Sequence, residues 1–457
     1  MSQKTSIPKG TRDFLPLNVA RRNYIFSVIE SNFKKYGFLP IETPSMELAS
    51  TLLGKYGEEG DRLIFRILNS GEKVKKADID ALNEGNLNRF AGSLSEKALR
   101  YDLTVPFARF VVQHQNDIQF PFKRYQIQPV WRADRPQHGR YQEFYQCDAD
   151  AVGSDGLALE IDFIQLFDDI LTSLKLPGFT IKINNRKILY GIVESINETE
   201  KFIGITVALD KLDKIGFEGV VQELERIQIS PNGISKLKSL LNLGLDDNLK
   251  KMNSLKQFLQ DSETGTKGIA EMEFILNAIS QLGLATGKIE FDLTLARGLN
   301  YYTGSIFEVK AEGVKMGSIC GGGRYDNLTG FFGMPGVSGV GISFGADRIY
   351  DILMELSLFP TDLNENLDVF FVNFGNVEAL TCHKLIKELR KAGYSAELYP
   401  ENVKLKKQFK YANDRNARYT AMIGDTESSK QTVILKDMIT GEQFEILQSN
   451  LIEHLKR

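Results

Sequence analysis

The sequence predicts an α+β domain built on a mainly antiparallel sheet, a mostly helical insertion and a small C-terminal α/β domain. Apolar and polar residues alternate with period two over much of residues 99–150, a pattern typical of strands. Residues 187–285 instead carry Leu, Ile, Lys and Glu at helical spacing, which indicates helices. After about residue 367, apolar strands alternate with helical segments, the order typical of an α/β domain.

The length of the chain supports more than one domain. At 457 residues it exceeds what a single hydrophobic core usually serves. The best linker candidate is Leu358–Asn366, which contains a proline and several Asp and Asn residues. We therefore predict a discontinuous main domain of residues 1–186 and 286–358, a helical insertion of residues 187–285, and a C-terminal domain of residues 367–457.

Composition excludes several classes of protein. No apolar run approaches the roughly 18 residues that a membrane span needs, and the polar segment 1–16 does not resemble a secretory signal. The net charge of −3 gives no overall sign of nucleic-acid binding. The three cysteines lie far apart, which argues against disulfides or a zinc site and favours a reducing cytoplasm. They are Cys147, Cys320 and Cys382.

The main domain is predicted to begin with a helix and a short strand. Residues 19–36 place apolar side chains at helical spacing and end at Gly37, a residue that commonly stops helices. Phe38–Glu42 is then predicted to be a strand, ended by Pro44. Further predicted strands lie within Ile289–Glu308 and at Val314–Cys320, Val369–Phe374, Ser395–Leu398, Tyr419–Ile423 and Thr432–Lys436, with a helix at Val377–Ala392.

A long hairpin around a polar break at 134–139 is the first candidate site. Along its second strand, the residues of one parity share one face of the sheet. These are Arg140, Gln142, Phe144, Gln146, Asp148 and Asp150. So polar a face is either solvated, as on an edge strand, or built for a polar ligand. Phe144 suits an aromatic base, and the planar guanidinium of Arg132 suits a phosphate.

Asp102 and Thr104 form the second candidate site. If residues 99–110 are extended, the two side chains share a face, where a carboxylate beside a hydroxyl can hold an ammonium group. Asp and Thr are also common together in turns and helix caps, so this alternative stays open.

The third candidate site is a glycine-rich strand that leads into a helix at residues 339–353. Arg348 lies in the first turn, where the helix macrodipole disfavours a cation. It therefore needs a compensating anion, either a neighbour such as Asp347 or a ligand phosphate. The sequence contains no GxxxxGK[ST] loop, so any ATP would be bound by arginines on the sheet.

These segments, in this order, resemble the three signature motifs of class II aminoacyl-tRNA synthetases. Motif one is the helix and strand ending at Pro44, motif two the Arg132 hairpin and motif three the Arg348 helix. Residues 295–309 and 318–328, together with the opening 9–16, resemble the histidyl-tRNA synthetases. Without the family, the tyrosines of these stretches could be core aromatics and the glycine triplet 321–323 a turn. The resemblance implies a catalytic domain with a mixed, mainly antiparallel sheet.

The resemblance also implies a reaction and roles for single residues. L-histidine and ATP, bound with Mg²⁺, form histidyl-adenylate, which then acylates the 3′-terminal adenosine of histidine tRNA. Arg132 and Arg297 are the implied catalytic residues. The implied ATP-binding residues are Arg132, Asp134, Arg140, Phe144 and Arg348. The implied histidine-binding residues are Asp102, Thr104, Arg132, Gln146, Asp150, Arg297, Tyr301, Tyr302 and Tyr325. Some relatives carry Glu at the position of Asp150.

The resemblance further implies partners. Arg135 and Gln137 match positions that read the extra guanosine at the start of histidine tRNA. The C-terminal domain resembles an anticodon-binding domain. Its basic cluster, which taken alone is equally typical of a solvated helix face, then provides phosphate contacts. The cluster comprises Lys404, Lys406, Lys407, Lys410, Arg415 and Arg418. A homodimer in the cytoplasm is also implied, whereas the residues give no indication of metal ligands.

Two alternatives are a catalytically inactive, histidine-binding regulatory paralogue and a tRNA-binding or stress-sensing module. Chains of the first class typically lack the anticodon-binding domain and lose active-site arginines. This chain keeps Arg132, Arg297, Arg348 and residues 367–457. Modules of the second class do not need an intact histidine pocket.

Overall fold

The computed structural model describes residues 5–241, 248–296, 301–361, 363 and 366–456. The chain divides into two compact units, Met1–Pro360 and Thr361–Arg457. None of the helices in the described part has the length and apolar content that crossing a bilayer requires.

The first unit begins with helices and strands that frame an antiparallel hairpin. In chain order they are α1 (Pro16–Lys35), β1 (Leu39–Pro40), β2 (Met46–Leu48), α2 (Ala49–Leu52), α3 (Gly57–Arg62), β3 (Arg66–Ile67), α4 (Ile79–Asn83), α5 (Leu87–Leu94), β4 (Lys97–Leu99), α6 (Thr104–Gln113), β5 (Phe122–Trp131), β6 (Glu143–Val152), α7 (Ala158–Ser173) and β7 (Phe179–Asn185).

Six helices follow, and the remaining strands of the sheet come after them. The helices are α8 (Arg186–Ser195), α9 (Phe202–Leu209), α10 (Leu212–Arg226), α11 (Pro231–Leu241), α12 (Asn248–Phe258) and α13 (Glu263–Leu282). The last elements of the unit are β8 (Lys288–Phe291), β9 (Ser305–Ala311), β10 (Cys320–Tyr325), β11 (Gly339–Gly345) and α14 (Ala346–Glu355).

The central sheet has eight strands in the order β1-β5-β6-β11-β10-β9-β7-β8. The β1–β5 and β7–β8 pairs are parallel and the other neighbours antiparallel, so the predicted mixed, mainly antiparallel sheet is confirmed. In the β6–β11 pair, Asp150 is opposite Gly341 and Gln146 opposite Gly345. This register places the hairpin beside the glycine-rich strand, although they are almost 200 residues apart in sequence.

One face of the sheet packs against helices, and the other remains polar. Cys147, Ala149 and Ala151 of β6 belong to the same hydrophobic core as Phe33 of α1 and Phe167 of α7. Because side chains alternate along a strand, the intervening Gln146, Asp148 and Asp150 lie on the opposite face. The hydrophobic face therefore supports the sheet while the polar face stays available for a ligand.

The predicted helical character of the insertion is confirmed by α8 to α13. Ile192 of α8, Leu224 of α10 and Ile275 of α13 are buried in the same core as the strand residue Phe179. The segment belongs to the first unit, and the domain boundaries inside this unit stay predictions.

Two predictions of local structure in the first unit are wrong. Within residues 99–150, Thr104–Gln113 is helix α6, because the apolar residues at 105, 107, 108 and 111 suit a buried helical face as well as an alternating strand. The strand predicted at Val314–Cys320 begins only at Cys320. Gly313 has φ +75°, a conformation of turns rather than strands, so the chain turns there before β10.

The second unit is a small α/β domain with its own hydrophobic core. Its elements are β12 (Val369–Phe371), α15 (Asn376–Lys391), β13 (Ala396–Leu398), α16 (Leu405–Asp414), β14 (Tyr419–Met422), α17 (Asp425–Lys430), β15 (Thr432–Asp437), β16 (Gln443–Leu447) and α18 (Leu451–Leu455). The strand order is β13-β12-β14-β15-β16. The α/β class is confirmed, and α16 bears the basic cluster on a helix; α17, β16 and α18 were not predicted because they are short.

Candidate active site

A cavity of about 450 Å³ lies on the polar face of the central sheet. Its wall combines residues of motif two, motif three, the Asp102 segment and the tyrosines near residue 301. The predicted site residues on this wall are Asp102, Thr104, Arg132, Asp134, Arg140, Phe144, Gln146, Tyr301, Tyr302 and Arg348. Segments from distant parts of the sequence thus converge on one volume of the size of a small-molecule site.

Three of these residues place positive charge around the cavity. Arg132 Nε donates to the carbonyl of Tyr101 over 3.1 Å, and its guanidinium carbon is 5.2 Å from the centre of the Phe144 ring. Arg140 Nη1 lies 3.7 Å from Asp134 Oδ1. The pKa of Arg348 is lowered, first by burial and then by the like charges of Arg140 and Arg132. Such a cluster is stabilised by an anionic ligand.

Asp347, one of the two partners that the sequence left open for Arg348, is bound by other groups. It accepts hydrogen bonds from Arg12, from Arg22 over 2.6 Å and from the Tyr145 amide over 2.8 Å. Arg348 itself donates to the carbonyls of Gly139, over 2.7 Å, and Ser318. Asp347 is therefore occupied by other donors, while the charges of Asp134 and Glu308 raise the pKa of Arg348; a phosphate partner for Arg348 stays a prediction.

Asp102 also lines the cavity, and it is almost completely buried. Its Oδ1 accepts from the Tyr56 hydroxyl over 2.8 Å and from the Val105 amide over 3.1 Å, and its Oδ2 accepts from the Tyr301 hydroxyl over 3.4 Å. Burial raises the pKa of Asp102. An ammonium group near Oδ2 would stabilise the negative charge of the ionised Asp102, which burial destabilises.

The strand argument for Asp102 and Thr104 is wrong, because α6 begins at Thr104. Asp102 acts as a helix cap through its bond to Val105, the alternative that the sequence analysis left open. Both side chains nevertheless line the cavity. Tyr56 was not predicted as a site residue. The sequence marks it only by the nearby glycines Gly54 and Gly57, which both have φ +78° in the structure.

Asp150 and Tyr325 are bonded to each other behind the cavity wall. The Tyr325 hydroxyl donates to Asp150 Oδ1 over 2.6 Å, and Arg124 Nη2 lies 2.8 Å from Asp150 Oδ2. The pKa of Asp150 is raised by burial, and Arg124 acts against this rise. Arg124 was also missed, although the hairpin register places it directly opposite Asp150.

Glycines allow these side chains to approach the backbone. A Cβ at Gly341 would lie 1.9 Å from Asp150 Oδ1, one at Gly339 would lie 2.4 Å from the Tyr325 ring, and one at Gly323 would lie 2.7 Å from the Tyr302 ring. The glycine triplet is therefore part of strand β10 beneath the tyrosines rather than the turn that was the alternative.

The predicted tRNA-contacting residues of the hairpin do not line this cavity. Arg135 and Gln137 are exposed at the tip of the hairpin, where the Gln137 amide donates to the Arg140 carbonyl over 3.2 Å. Arg297 lies outside the described residues. In the second unit, the six residues of the basic cluster are exposed on and around α16. No group of three or more His, Cys, Asp or Glu side chains in the described ranges could hold a metal ion.

Comparison with known proteins identifies the family. A model described as histidyl-tRNA synthetase matches residues 91–349, and an anticodon binding domain model matches residues 368–457. The histidine–tRNA ligase of Christiangramia forsetii is 59% identical over 444 residues, which are 97% of each chain. That of Bacteroides fragilis is 54% identical over all of both chains. The crystal structure of a histidyl-tRNA synthetase from a Nostoc species superposes with a TM-score of 0.79, at 32% identity, over all of both chains. The chain therefore belongs to the histidyl-tRNA synthetase family.

Proposed function

We propose that the chain is a histidine–tRNA ligase that activates L-histidine with ATP and then esterifies the 3′-terminal adenosine of histidine tRNA. The observation that carries this proposal is the single cavity that joins Arg132, Arg140 and Arg348 to the buried carboxylate of Asp102. Its charges match a substrate with an ammonium group at one end and phosphates at the other. Residues 1–186 and 286–358 form the catalytic part, residues 187–285 the insertion and residues 367–457 the anticodon-binding part.

In the first step, the histidine carboxylate attacks the α-phosphorus of ATP and pyrophosphate leaves. Positioning and charge stabilisation dominate such an in-line displacement. Arg132 contacts the histidine carboxylate and the α-phosphate, and Arg348 contacts the γ-phosphate. Phe144 stacks on adenine, with Asp134 and Arg140 beside the nucleotide. From the sequence resemblance, we propose that Arg297 stabilises the α-phosphate from the other side.

In the amino-acid part of the site, Asp102, Thr104 and Gln146 hold the ammonium group. Asp102 is already oriented by Tyr56 and Val105, so its carboxylate needs little rearrangement. Tyr301, Tyr302 and the bonded pair Asp150 and Tyr325 surround the imidazole. Since the Tyr325 proton is donated to Asp150, the Tyr325 oxygen can still accept a hydrogen bond from a ring N–H.

ATP enters as its magnesium complex. Mg²⁺ retains several waters and is usually held by phosphate oxygens with one or two carboxylates, so the nucleotide can bring the ion with it. The arginines then complement the negative charge that the ion leaves uncompensated on the phosphates.

The tRNA contacts both units. The exposed hairpin tip with Arg135 and Gln137 reads the extra guanosine, and the basic cluster around α16 contacts the phosphates of the anticodon arm. Gln137→Ala should lower aminoacylation of a histidine tRNA with the extra guanosine more than that of a tRNA without it. Equal rates for wild type and variant on both tRNAs would contradict this role.

The enzyme acts as a homodimer. Leu39 on β1, at the edge of the central sheet, and Met46 and Leu48 on β2 each have more than half of their surface exposed. An edge strand with exposed apolar side chains is commonly covered by another chain. These residues flank Pro44 at the end of motif one, and we propose that a second copy covers them.

Histidine-dependent exchange of pyrophosphate into ATP tests the proposed function. We expect exchange with L-histidine and not with other amino acids at the same concentration, followed by acylation of histidine tRNA. A chain that binds histidine without exchange would be an inactive paralogue, and one that binds tRNA without either would be a binding module. The arginines of the cavity favour the active enzyme, because neither alternative needs phosphate ligands there.

A further inference from the structure

A buried cluster of charges lies behind the imidazole end of the cavity, on the hairpin. Arg124 of β5 and Asp150 of β6 are cross-strand partners, with 2.8 Å between Nη2 and Oδ2. Asp148, two residues earlier, lies on the same face of β6. All three side chains are almost completely buried, so their charges interact with little screening by water.

The cluster holds two carboxylates and one guanidinium. Burial raises the pKa of both acids and Arg124 lowers it for each, and the charge of Asp150 further raises the pKa of Asp148, to about 7. The other groups that act on the pair are Tyr325 on β10, which donates to Asp150, Ser343 on β11, which bonds Asp148, and the charge of Asp102, which raises the pKa of both. The positive charge of Arg124 therefore stabilises the ionised form of Asp150 next to Asp148.

Arg124 also contacts the segment that carries the ammonium-binding residues. Its Nη2 donates to the Leu103 carbonyl over 3.2 Å, and its guanidinium carbon lies 4.3 Å from the centre of the Phe107 ring on α6. Leu103 lies between Asp102 and Thr104, so one guanidinium joins the two ends of the amino-acid pocket.

We propose that Arg124 is a positioning residue for histidine selection, which fixes the ionised Asp150 against Tyr325 and aligns it with the Asp102–Thr104 segment. This inference rests on the proposed function, because it takes Asp150 and Tyr325 as the imidazole site. Arg124 does not contact the substrate. It acts through the orientation of Asp150, so that the Tyr325 proton stays on the Asp150 side and the Tyr325 oxygen accepts from the imidazole.

The alternative is an ion pair that only stabilises the fold. Such a pair predicts a lower melting temperature and similar changes in every kinetic constant, without dependence on pH. A positioning role predicts a defect in the use of histidine and not of ATP. It also predicts that the defect shrinks as the pH rises, because Asp150 without Arg124 regains its charge only at higher pH.

Arg124→Met and Arg124→Lys test the proposal in pyrophosphate exchange between about pH 7 and pH 8.5, where the free imidazole is neutral. For Arg124→Met we expect the KM for histidine to rise about tenfold at the lower pH, the equivalent of one pKa unit, and to fall towards the wild-type value at the higher pH. The KM for ATP should stay within about twofold, a change below 0.5 kcal/mol. Arg124→Lys keeps the charge and should give a smaller rise that does not vary with pH.

A second substitution separates charge from packing. Adding Asp148→Asn to Arg124→Met removes the like charge next to Asp150, so we expect it to lower the KM for histidine again. For Arg124→Met, a KM for histidine that is unchanged, that rises equally at every pH, or that rises together with the KM for ATP would overturn the proposal. If Arg124→Met does not melt cooperatively, Arg124→Lys decides by the same comparison of the two KM values.

Calorimetric titration with histidine distinguishes this failure from failure of the proposed function. Wild-type protein that binds histidine but does not exchange pyrophosphate would contradict the proposed function, while the affinities of wild type and variants still decide the role of Arg124. Wild-type protein that does not bind histidine would overturn both.

Discussion

Arg12 and Asp347 form an ion pair that joins the N-terminal segment to the first turn of α14. The same guanidinium lies 3.0 Å from Asp351 on the next turn and 3.6 Å from the centre of the Tyr141 ring, just before β6. Arg12 thus connects motif two to motif three. Since Arg348 follows Asp347 directly, the position of its guanidinium depends on this connection.

Arg12→Gln should therefore impair the use of ATP. The loss of a charge-assisted contact worth about 1 kcal/mol at Asp347 should raise the KM for ATP about fivefold. The KM for histidine should change little, because the amino-acid pocket lies on other elements. Steady-state pyrophosphate exchange with each substrate varied in turn measures both constants.

Lys9→Gln is the matched control, since Lys9 is exposed in the same segment. It should leave both constants at the wild-type values. A rise in the KM for histidine as large as that for ATP in Arg12→Gln would show that the segment supports the whole fold rather than Arg348.

Gly341→Ala should damage the imidazole site. The new Cβ would lie 1.9 Å from Asp150 Oδ1 and 2.4 Å from its Cγ, so Asp150 must move away from Tyr325 or Arg124. We expect a loss of about 1–3 kcal/mol in the free energy of unfolding, as in other overpacked cores, and a KM for histidine raised about tenfold, equivalent to 1.4 kcal/mol. Chemical denaturation and pyrophosphate exchange measure the two effects.

Gly92→Ala provides the comparison, because a Cβ there meets no atom within 4 Å on helix α5. It should raise the helix stability by about 0.5–1 kcal/mol and leave the KM for histidine unchanged. If Gly341→Ala behaved like Gly92→Ala, the close approach of Asp150 to β11 would have no functional importance.

The sequence was sufficient to predict the fold class and much of the cavity wall, but not the contacts that hold the wall in place. Asp102 and Thr104 were chosen by strand parity, yet they lie at the start of a helix; their residue types suited both structures. From the sequence, Arg348 could pair with Asp347 or with a ligand phosphate. Asp347 is in fact paired with Arg12, which is more than 300 residues away in the chain. Such distant contacts leave no local periodicity in a single sequence.

Arg124 shows a different limit. The positions of the two hairpin strands place it opposite Asp150, so the register could have been counted from the sequence once the turn was located. The importance of Arg124 could not be predicted from the sequence, because an arginine on a strand is usually exposed. Only the burial of Arg124, Asp148 and Asp150 together shows that the guanidinium balances two carboxylates.

Asp102→Asn should separate stability from function. The pKa of Asp102 is raised in the folded protein, so its ionised form costs stability above that pKa, and the cost is relieved as the pH falls through it. Asn keeps an oxygen for Tyr56 and Val105 but carries no charge. At neutral pH we expect the free energy of unfolding to stay the same or to rise, because the buried charge is removed.

The same variant should bind histidine poorly, because the ammonium group loses its counter-charge. Calorimetric titration should show an affinity for histidine at least about tenfold lower, a loss of 1.4 kcal/mol. Asp80→Asn, on the separate short helix α4, is the control and should bind histidine like the wild type. Wild-type affinity in Asp102→Asn would contradict the proposed ammonium site.

The exposed apolar residues next to motif one give the last prediction. Leu48→Asp introduces a charge on β2, where Leu48 is 59% exposed and would be covered in the proposed dimer. Burying an unpaired carboxylate in an interface costs several kcal/mol, so the variant should sediment as a 51.5 kDa monomer while the wild type sediments at twice that mass.

Ile439→Asp, at a residue 84% exposed in the second unit, is the control for this prediction and should remain dimeric. A wild-type protein that sediments at 51.5 kDa, or a Leu48→Asp variant that stays dimeric, would place the interface elsewhere or exclude it.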